Sequence, residues 1–68
     1  MKDWKCTVNC RDNRHARTFR AVYHVQAREV NEARSRARLA WLDEWEGQDV
    51  AWLACKVEEL TEPPPLIW

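Results

Sequence analysis

The change of hydrophobic period midway along this chain constrains its fold more than any other feature. Residues 4–11 and 18–27 alternate between apolar and polar positions, and a period of two is typical of half-buried β-strands. Over residues 29–46 the period lengthens to 3.6, as on one face of an amphipathic helix. Alternation returns over residues 50–60, so the sequence predicts the element order ββαβ.

The two amino-terminal strands each have a predicted face that points into the core. On the first strand this face comprises Trp4, Cys6, Val8 and Cys10. On the second strand it comprises Phe19, Ala21, Tyr23 and Val25. A basic loop joins the two strands into a predicted hairpin, because Asp12 and Asn13 supply the turn chemistry between them.

The third strand is predicted with the same alternation and no irregularity. Its inward set is predicted to be Ala51, Leu53, Cys55 and Val57. Its outward set is then Trp52, Ala54 and Lys56. A right-handed crossover that returns this strand beside the first gives a mostly antiparallel sheet of order 2-1-3, with the helix on one face. The prediction is therefore a single α+β domain over residues 1–62, followed by a proline-rich apolar tail over residues 63–68.

The helix has a predicted buried stripe and several apolar residues outside it. The stripe comprises Val30, Ala33, Ala37, Ala40, Trp41 and Glu44. We predict that Trp41 is buried against the sheet near Phe19 and Tyr23, because its small neighbours leave room there. Leu39 and Leu42 project away from the stripe, and such surplus apolar residues suggest a contact patch or simply a wide stripe. Gly47 fits the end of the helix.

One face of the predicted sheet has no helix to cover it. Its side chains are Lys5, Thr7, Asn9, Arg11, Arg20, Val22, His24, Trp52 and Lys56. A tryptophan among cations resembles the platforms on which single-stranded nucleic acids stack their bases. The alternative, which we favour, is that protein covers Trp52, either a second copy of the chain or the tail segment 66–68.

The net charge of zero conceals a strong separation along the chain. Residues 1–38 contain ten Lys and Arg against four Asp and Glu, whereas residues 39–68 contain one Lys against seven Asp and Glu. Such an asymmetry predicts either charged partners or pairing between the two halves of the fold. The helix also carries Arg34, Arg36 and Arg38 on its flanks, where a solvated face is the simpler interpretation.

The chain lacks the residues that several functional classes require. With one Gly the chain has no glycine-rich loop for phosphates, and because no long apolar run occurs we expect neither a signal peptide nor a membrane span. Three cysteines fit neither a disulfide framework nor the usual zinc spacing, so Cys6, Cys10 and His15 are predicted to bind no metal. We expect no cofactor, no catalytic residue and a cytoplasmic location.

A resemblance to small bacteriophage-encoded proteins covers roughly residues 17–46. The segment 23–27 runs into a helix that carries Glu32, Ala33 and Ala37, and this pattern is similar to that of some anti-CRISPR proteins of the same size. The resemblance implies a short sheet against one helix, and an accessory protein that binds and blocks or modulates a larger assembly. It transfers no binding residue to a position in this chain.

The expected function is therefore a small interaction protein without enzymatic activity, with a protein complex as its partner. The first alternative is a nucleic-acid-binding module that uses the basic amino-terminal half and Trp52. The second is a subunit of an obligate oligomer such as a homodimer. The predicted partner-binding residues are Arg20, Arg36, Arg38, Leu39, Leu42 and Trp52.

Overall fold

The ββαβ order is present in the structure, a computed structural model that describes residues 1–60. The elements are β1 (Lys2–Asp12), β2 (Arg17–Ala27), α1 (Val30–Glu44) and β3 (Val50–Leu60). The three strands form one sheet of order β2-β1-β3 in which both pairings are antiparallel. The predicted fold class and sheet order are confirmed, and the predicted tail over residues 63–68 lies outside the described residues.

The hairpin of β1 and β2 follows the predicted alternation along its whole length. Its register runs from Lys2 opposite Ala27 to Asp12 opposite Arg17 without a shift. The predicted inward residues of β1 are all buried, and those of β2 are half-buried. In the turn, Asp12 Oδ1 accepts a hydrogen bond from the Arg14 amide at 3.0 Å, which is the short-range chemistry that favours Asp at turns.

A β-bulge in β3 overturns the predicted phase of that strand. Cys10 lies opposite Trp52 while Asn9 lies opposite Ala54, so Leu53 is the extra residue between two regular stretches of the ladder. Beyond the bulge Cys55 and Val57 point towards the helix as predicted. Before it the phase is reversed, because one inserted residue exchanges the two faces of a strand.

The predicted orientation is therefore wrong for two residues of the inward set and for one residue of the outward set. Leu53 is 53% exposed and Ala51 lies opposite Arg11, so neither belongs to the core. Trp52 instead packs against the buried cluster beneath the helix. Strict alternation is the simplest pattern that a strand sequence can suggest, and a bulge leaves no mark in residues that are apolar on both sides of it.

Helix α1 buries a narrower stripe than predicted. Ala33, Ala37 and Trp41 are buried, and their spacing of four residues places them in one row along the helix. Val30, Ala40 and Glu44 were expected in the same stripe but are exposed. The row is narrow because the small alanine side chains bring the helix onto the sheet along a single line.

The two ends of α1 are held by backbone hydrogen bonds. Glu29 occupies the first cap in an extended conformation with no side-chain hydrogen bond. At the other end the Gln48 amide donates to the Trp45 carbonyl at 3.0 Å, and Gly47 adopts a φ of +77°. A positive φ at the third position of a turn is the geometry of a type II turn, which favours glycine there.

The core consists of two adjoining clusters between the sheet and the helix. One contains Trp4, whose indole N–H donates to the Ala27 carbonyl at 2.9 Å. The other contains Val8, Cys10 and Trp41, and the Trp41 indole N–H donates to Cys10 Sγ at 3.2 Å. Phe19 and Tyr23 pack against this second cluster, so the predicted burial of Trp41 is confirmed.

Candidate functional site

Helix α1 covers the sheet unevenly, and its flank over β2 is closed. Phe19 and Trp45 pack with ring centroids 5.0 Å apart at an interplanar angle of 51°. The Tyr23 hydroxyl donates to Glu44 Oε2 at 2.5 Å. Burial, and then this bond to a carboxylate, raise the pKa of Tyr23 to about 12. The flank thus combines aromatic packing with a charge-assisted hydrogen bond.

The opposite flank, over β3, is an open groove with a volume of about 460 Å³. We call it the α1–β3 groove, and it is lined by Arg34, Ser35, Arg38, Leu39 and Trp52. Helical residues four apart lie one above the other, so Arg34 and Arg38 stand in one row along the rim. The sheet supplies the floor, because the bulge turns Trp52 towards the helix.

Two aromatic rings and a guanidinium form a stack at the centre of this groove. Trp52 meets Trp41 edge-on, with ring centroids 5.4 Å apart and an interplanar angle of 84°. The Arg38 Cζ atom lies 5.0 Å from the Trp52 ring centroid and 5.8 Å from that of Trp41. Cation–π contacts at this distance are favourable by about 0.5–1 kcal/mol at exposed sites, so they hold the guanidinium over the rings.

The groove arginines differ from a third arginine on the same helix in how their charge is paired. Arg36 lies 3.4 Å from a Glu32 carboxylate oxygen. Within residues 1–60, neither Arg34 nor Arg38 forms an ion pair, and Arg34 makes one long hydrogen bond of 3.4 Å to Asn31. The groove therefore presents two guanidiniums whose charge no carboxylate of these residues neutralises.

Exposed leucines extend the groove towards the end of the helix. Leu39 is 66% exposed, and Leu42 is 47% exposed. Leu42 follows Leu39 by three residues and Arg38 by four, so it lies next to both on the helix surface. This surface joins aromatic and aliphatic groups with unpaired arginines.

The structure brings together some of the six predicted partner-binding residues and separates the others. Arg38, Leu39 and Trp52 line the groove, and Leu42 is adjacent on the helix. Arg36 lies on the other flank with Glu32, and Arg20 lies on the open sheet face beside Asn9 and Leu53. The predicted set of partner-binding residues did not include Arg34 and Ser35, which also line the groove. Arg34 could have been found from its four-residue spacing to Arg38.

The open face of the sheet is not the aromatic platform that alternation suggested. The tryptophan expected there, Trp52, points towards the helix because of the bulge, and no aromatic side chain of residues 1–60 lies on the open face. The cations predicted for this face do occupy it: Lys5, Arg11, Arg20 and Lys56. The face is thus a polar, partly basic surface around the exposed Val22.

The cysteines lie under the helix as packing residues. Cys6 and Cys10 are buried and Cys55 is half-buried, and all three are free thiols. Burial raises the pKa of each thiol, and the nearby Arg34 charge partly opposes this for Cys6 and Cys55. Among residues 1–60, no three His, Cys, Asp or Glu side chains converge as metal ligands would.

Pairing between the two halves of the chain neutralises little of the charge separation. Among the described ion pairs, only Lys2 with Glu59, at 3.5 Å, joins the basic half to the acidic half. The others form within one half, for example Lys56 with Glu58 at 3.8 Å. Much of the positive charge of the amino-terminal half is therefore available to a partner.

Comparisons with known proteins do not assign this arrangement. No protein-family model, curated protein or solved structure matches the chain. Within residues 1–60, α1 lacks the length and the apolar character that crossing a bilayer would need.

Proposed function

We propose that this domain is a non-enzymatic protein-binding module, which docks on a larger macromolecular assembly through the α1–β3 groove and the leucines beside it. One observation carries the proposal: an exposed surface combines Trp52, Arg38 and Leu39 around a groove of about 460 Å³. Protein interfaces concentrate their binding energy in Trp, Tyr and Arg anchors near the centre of the contact. The groove has this composition.

The exposure of Leu39 and Leu42 supports the same interpretation. Scattered apolar residues are normal on a protein surface, but these two adjoin a groove with a tryptophan floor. A partner that covers them removes apolar surface from water, which stabilises the complex by about 25 cal/mol per Å² buried before the entropic cost of association.

The consequence that we propose for the partner is inhibition or modulation of its activity. A domain of this size has room for a contact surface and little else. The resemblance of residues 17–46 to anti-CRISPR proteins adds an expectation of the same kind: an accessory protein of phage type that occupies a working surface of its target.

The competing class is a nucleic-acid-binding module that uses the basic open face of the sheet. The cations Lys5, Arg11, Arg20 and Lys56 favour it, since phosphate contacts need little else. The loss of Trp52 from this face removes the stacking group on which the hypothesis relied. Such binding would weaken steeply with salt, because it releases counterions.

A pull-down from a lysate of the cell that makes the protein, with and without nuclease, tests the proposal. Leu39→Ser and Arg38→Glu alter the groove. Their matched controls on the open face are Leu53→Ser, at a leucine that is 53% exposed, and Arg20→Glu. We expect nuclease-resistant protein capture that both groove variants abolish and both controls retain.

Two results would count against the proposal. Capture that the groove variants leave intact would place the contact elsewhere. Capture that nuclease or Arg20→Glu removes would favour nucleic-acid binding by the open face.

A further inference from the structure

We infer that the partner segment bound in the α1–β3 groove carries an acidic side chain next to an apolar one, and that Arg38, with Arg34 beside it, binds the carboxylate. This inference rests on the proposed function, since it names the chemistry of the segment that would occupy the same groove.

The contact of Arg38 with the two tryptophan rings leaves its N–H donors available to bind a carboxylate. Its guanidinium lies over the rings of Trp52 and Trp41, at 5.0 and 5.8 Å from their centroids. A cation–π contact engages the charge of the guanidinium and uses none of its N–H donors as hydrogen-bond partners, and these donors match the two oxygens of a carboxylate. Within residues 1–60 no acceptor takes these donors from Arg38.

Preorganisation makes this arrangement more effective than a mobile surface arginine. A long side chain loses rotamer freedom when a ligand immobilises it, and this loss weakens binding. The contacts with Trp41 and Trp52 have already restricted Arg38 in the unbound domain. Arg36 shows the contrast, because Glu32 already binds its guanidinium at 3.4 Å.

Arg34 reinforces the positive charge of the rim. It is one helical turn before Arg38 and lines the same groove. Its only described hydrogen bond is a long one to Asn31, and its charge lowers the thiol pKa of Cys55 on the neighbouring strand, against the larger effect of burial. Two like charges on one rim attract an anion and disfavour a basic segment.

Trp52 on the floor of the groove and Leu39 on its helical side supply the apolar half of the site. Trp52 is half-buried, and Leu39 is 66% exposed. An aliphatic or aromatic side chain placed between them would lose water on both sides. The groove therefore fits a segment in which an Asp or Glu is a neighbour of an apolar anchor.

A nucleic acid fits the same groove less well. A stacked base needs a free ring face, but the Arg38 guanidinium lies over the ring of Trp52, and this ring is also in T-shaped contact with Trp41. A strand also carries a phosphate at every nucleotide, and the next charged residue on this face of β3 is Glu59. A single carboxylate with an apolar neighbour avoids both obstacles.

Selection from a displayed library of random short peptides tests the inference with the full-length chain as bait. We expect the bound peptides to be enriched in Asp or Glu beside Leu, Ile, Phe or Trp. A double-mutant cycle on one selected peptide then isolates the contact, with Arg38→Gln in the protein and the acid replaced by its amide in the peptide. Each single change should weaken binding by about tenfold or more, and the second change should add little to the first.

Three further variants control for folding and for charge. Arg34→Gln leaves the stack on Trp52 intact and should weaken the peptide less than Arg38→Gln. Arg36→Gln removes the same charge from the other flank and should leave binding unchanged. Arg38→Lys keeps the charge but loses the planar fork, so it should also weaken binding.

Several outcomes would overturn the inference. The first leaves the proposed function in place, whereas the second would overturn that function as well. Selected peptides without acidic enrichment, or independent effects in the cycle, would show that the groove binds apolar segments alone. Preferential binding of single-stranded oligonucleotides at the groove would assign it to nucleic acid. Residues 61–68 themselves combine Glu62 with Leu66, Ile67 and Trp68. Peptide binding that appears only after Glu62→Gln and Trp68→Ala would therefore mean that the chain occupies its own groove.

Discussion

The two flanks of α1 rest on the same sheet but differ in how they are completed. Over β2, Phe19 packs on Trp45 and Tyr23 donates a hydrogen bond to Glu44, so side chains of the strand and the helix meet there. Over β3, Arg38 lies on Trp52 but its donors meet no carboxylate of residues 1–60, and Leu39 stands in solvent. Side chains of the described residues close the flank over β2, whereas the flank over β3 stays open to solvent.

This difference lets one flank contribute to the stability of the fold while the other remains accessible. Stability matters here because the domain is small. A domain of this length buries only about 60% of its unfolded surface, so every closed contact contributes to a small total. An open groove leaves apolar surface exposed to water that would stabilise the fold if it were buried. We therefore attribute the closed flank to folding and the open flank to recognition, and the variants below test that assignment.

The largest effect is expected at Trp41, which lies beneath the helix where the two flanks meet. It is 5% exposed and contacts Val8, Cys10 and Trp52. Trp41→Ala should lower the free energy of unfolding by about 3–5 kcal/mol, because it removes a buried ring and leaves a cavity. Chemical denaturation measures this, and a cooperative unfolding transition close to that of the wild type would contradict the packing described here.

The second largest effect is expected for two matched aromatic residues, one on each flank. Phe19 and Trp52 are both half-buried beside the same cluster, so Phe19→Ala and Trp52→Ala should each cost about 2 kcal/mol of stability, roughly half of the value for a fully buried ring. Only Trp52→Ala should also weaken partner binding at a temperature where both variants are folded. Equal losses of binding would show that the closed flank takes part in recognition.

The third effect concerns the hydrogen bond of the closed flank and its dependence on pH. Tyr23→Phe should cost about 1 kcal/mol at neutral pH, because it removes a donor to Glu44. The pKa of Tyr23 is raised to about 12 in the fold, so the protonated hydroxyl stabilises the native state. That contribution is complete below pH ~10, the pKa of an unfolded tyrosine, and is lost as the pH rises through the folded value.

The stability difference between the wild type and Tyr23→Phe should consequently shrink between pH ~10 and about 12. The difference is the useful quantity, because the buried thiols also have raised pKa values and affect both proteins alike. Urea denaturation at several alkaline pH values measures it. A difference that stays constant up to the highest pH would mean that the fold does not raise the pKa of Tyr23.

The smallest effect on stability is expected on the open flank. Leu39→Ser should change the free energy of unfolding by no more than about 0.5 kcal/mol, because the side chain is 66% exposed. The same change should remove partner binding in the pull-down. A marked loss of stability would show instead that Leu39 is covered in the native protein.

Much of the fold could be predicted from local patterns in the sequence. The hairpin was predictable because alternation in β1 and β2 is unbroken, and each strand has one apolar face. The burial of Trp41 followed from its place among alanines, and the exposure of Leu39 from its position opposite them. These features depend on neighbours that are close in sequence.

The candidate site was predicted only in part, because it depends on one inserted residue. Leu53 shifts the register of β3, and this turns Trp52 from the open face of the sheet to the groove beneath Arg38. The residues around the bulge are apolar on both sides, so no pattern reveals where the extra residue lies. The separation of Arg36 from Arg38 is a local property by contrast, because residues two apart lie on opposite sides of a helix and Arg36 pairs with Glu32 one turn before it.

The sequence by itself determined the elements, their order and the row of alanines that brings α1 onto the sheet, because period and small size are local properties. The tertiary structure decided which flank of the helix is closed and which is open. That choice depends on where the bulge in β3 places Trp52 and on which helix residues the strands reach, as Tyr23 reaches Glu44. Contacts between residues distant in the chain set both, and these contacts exist only once the chain has folded.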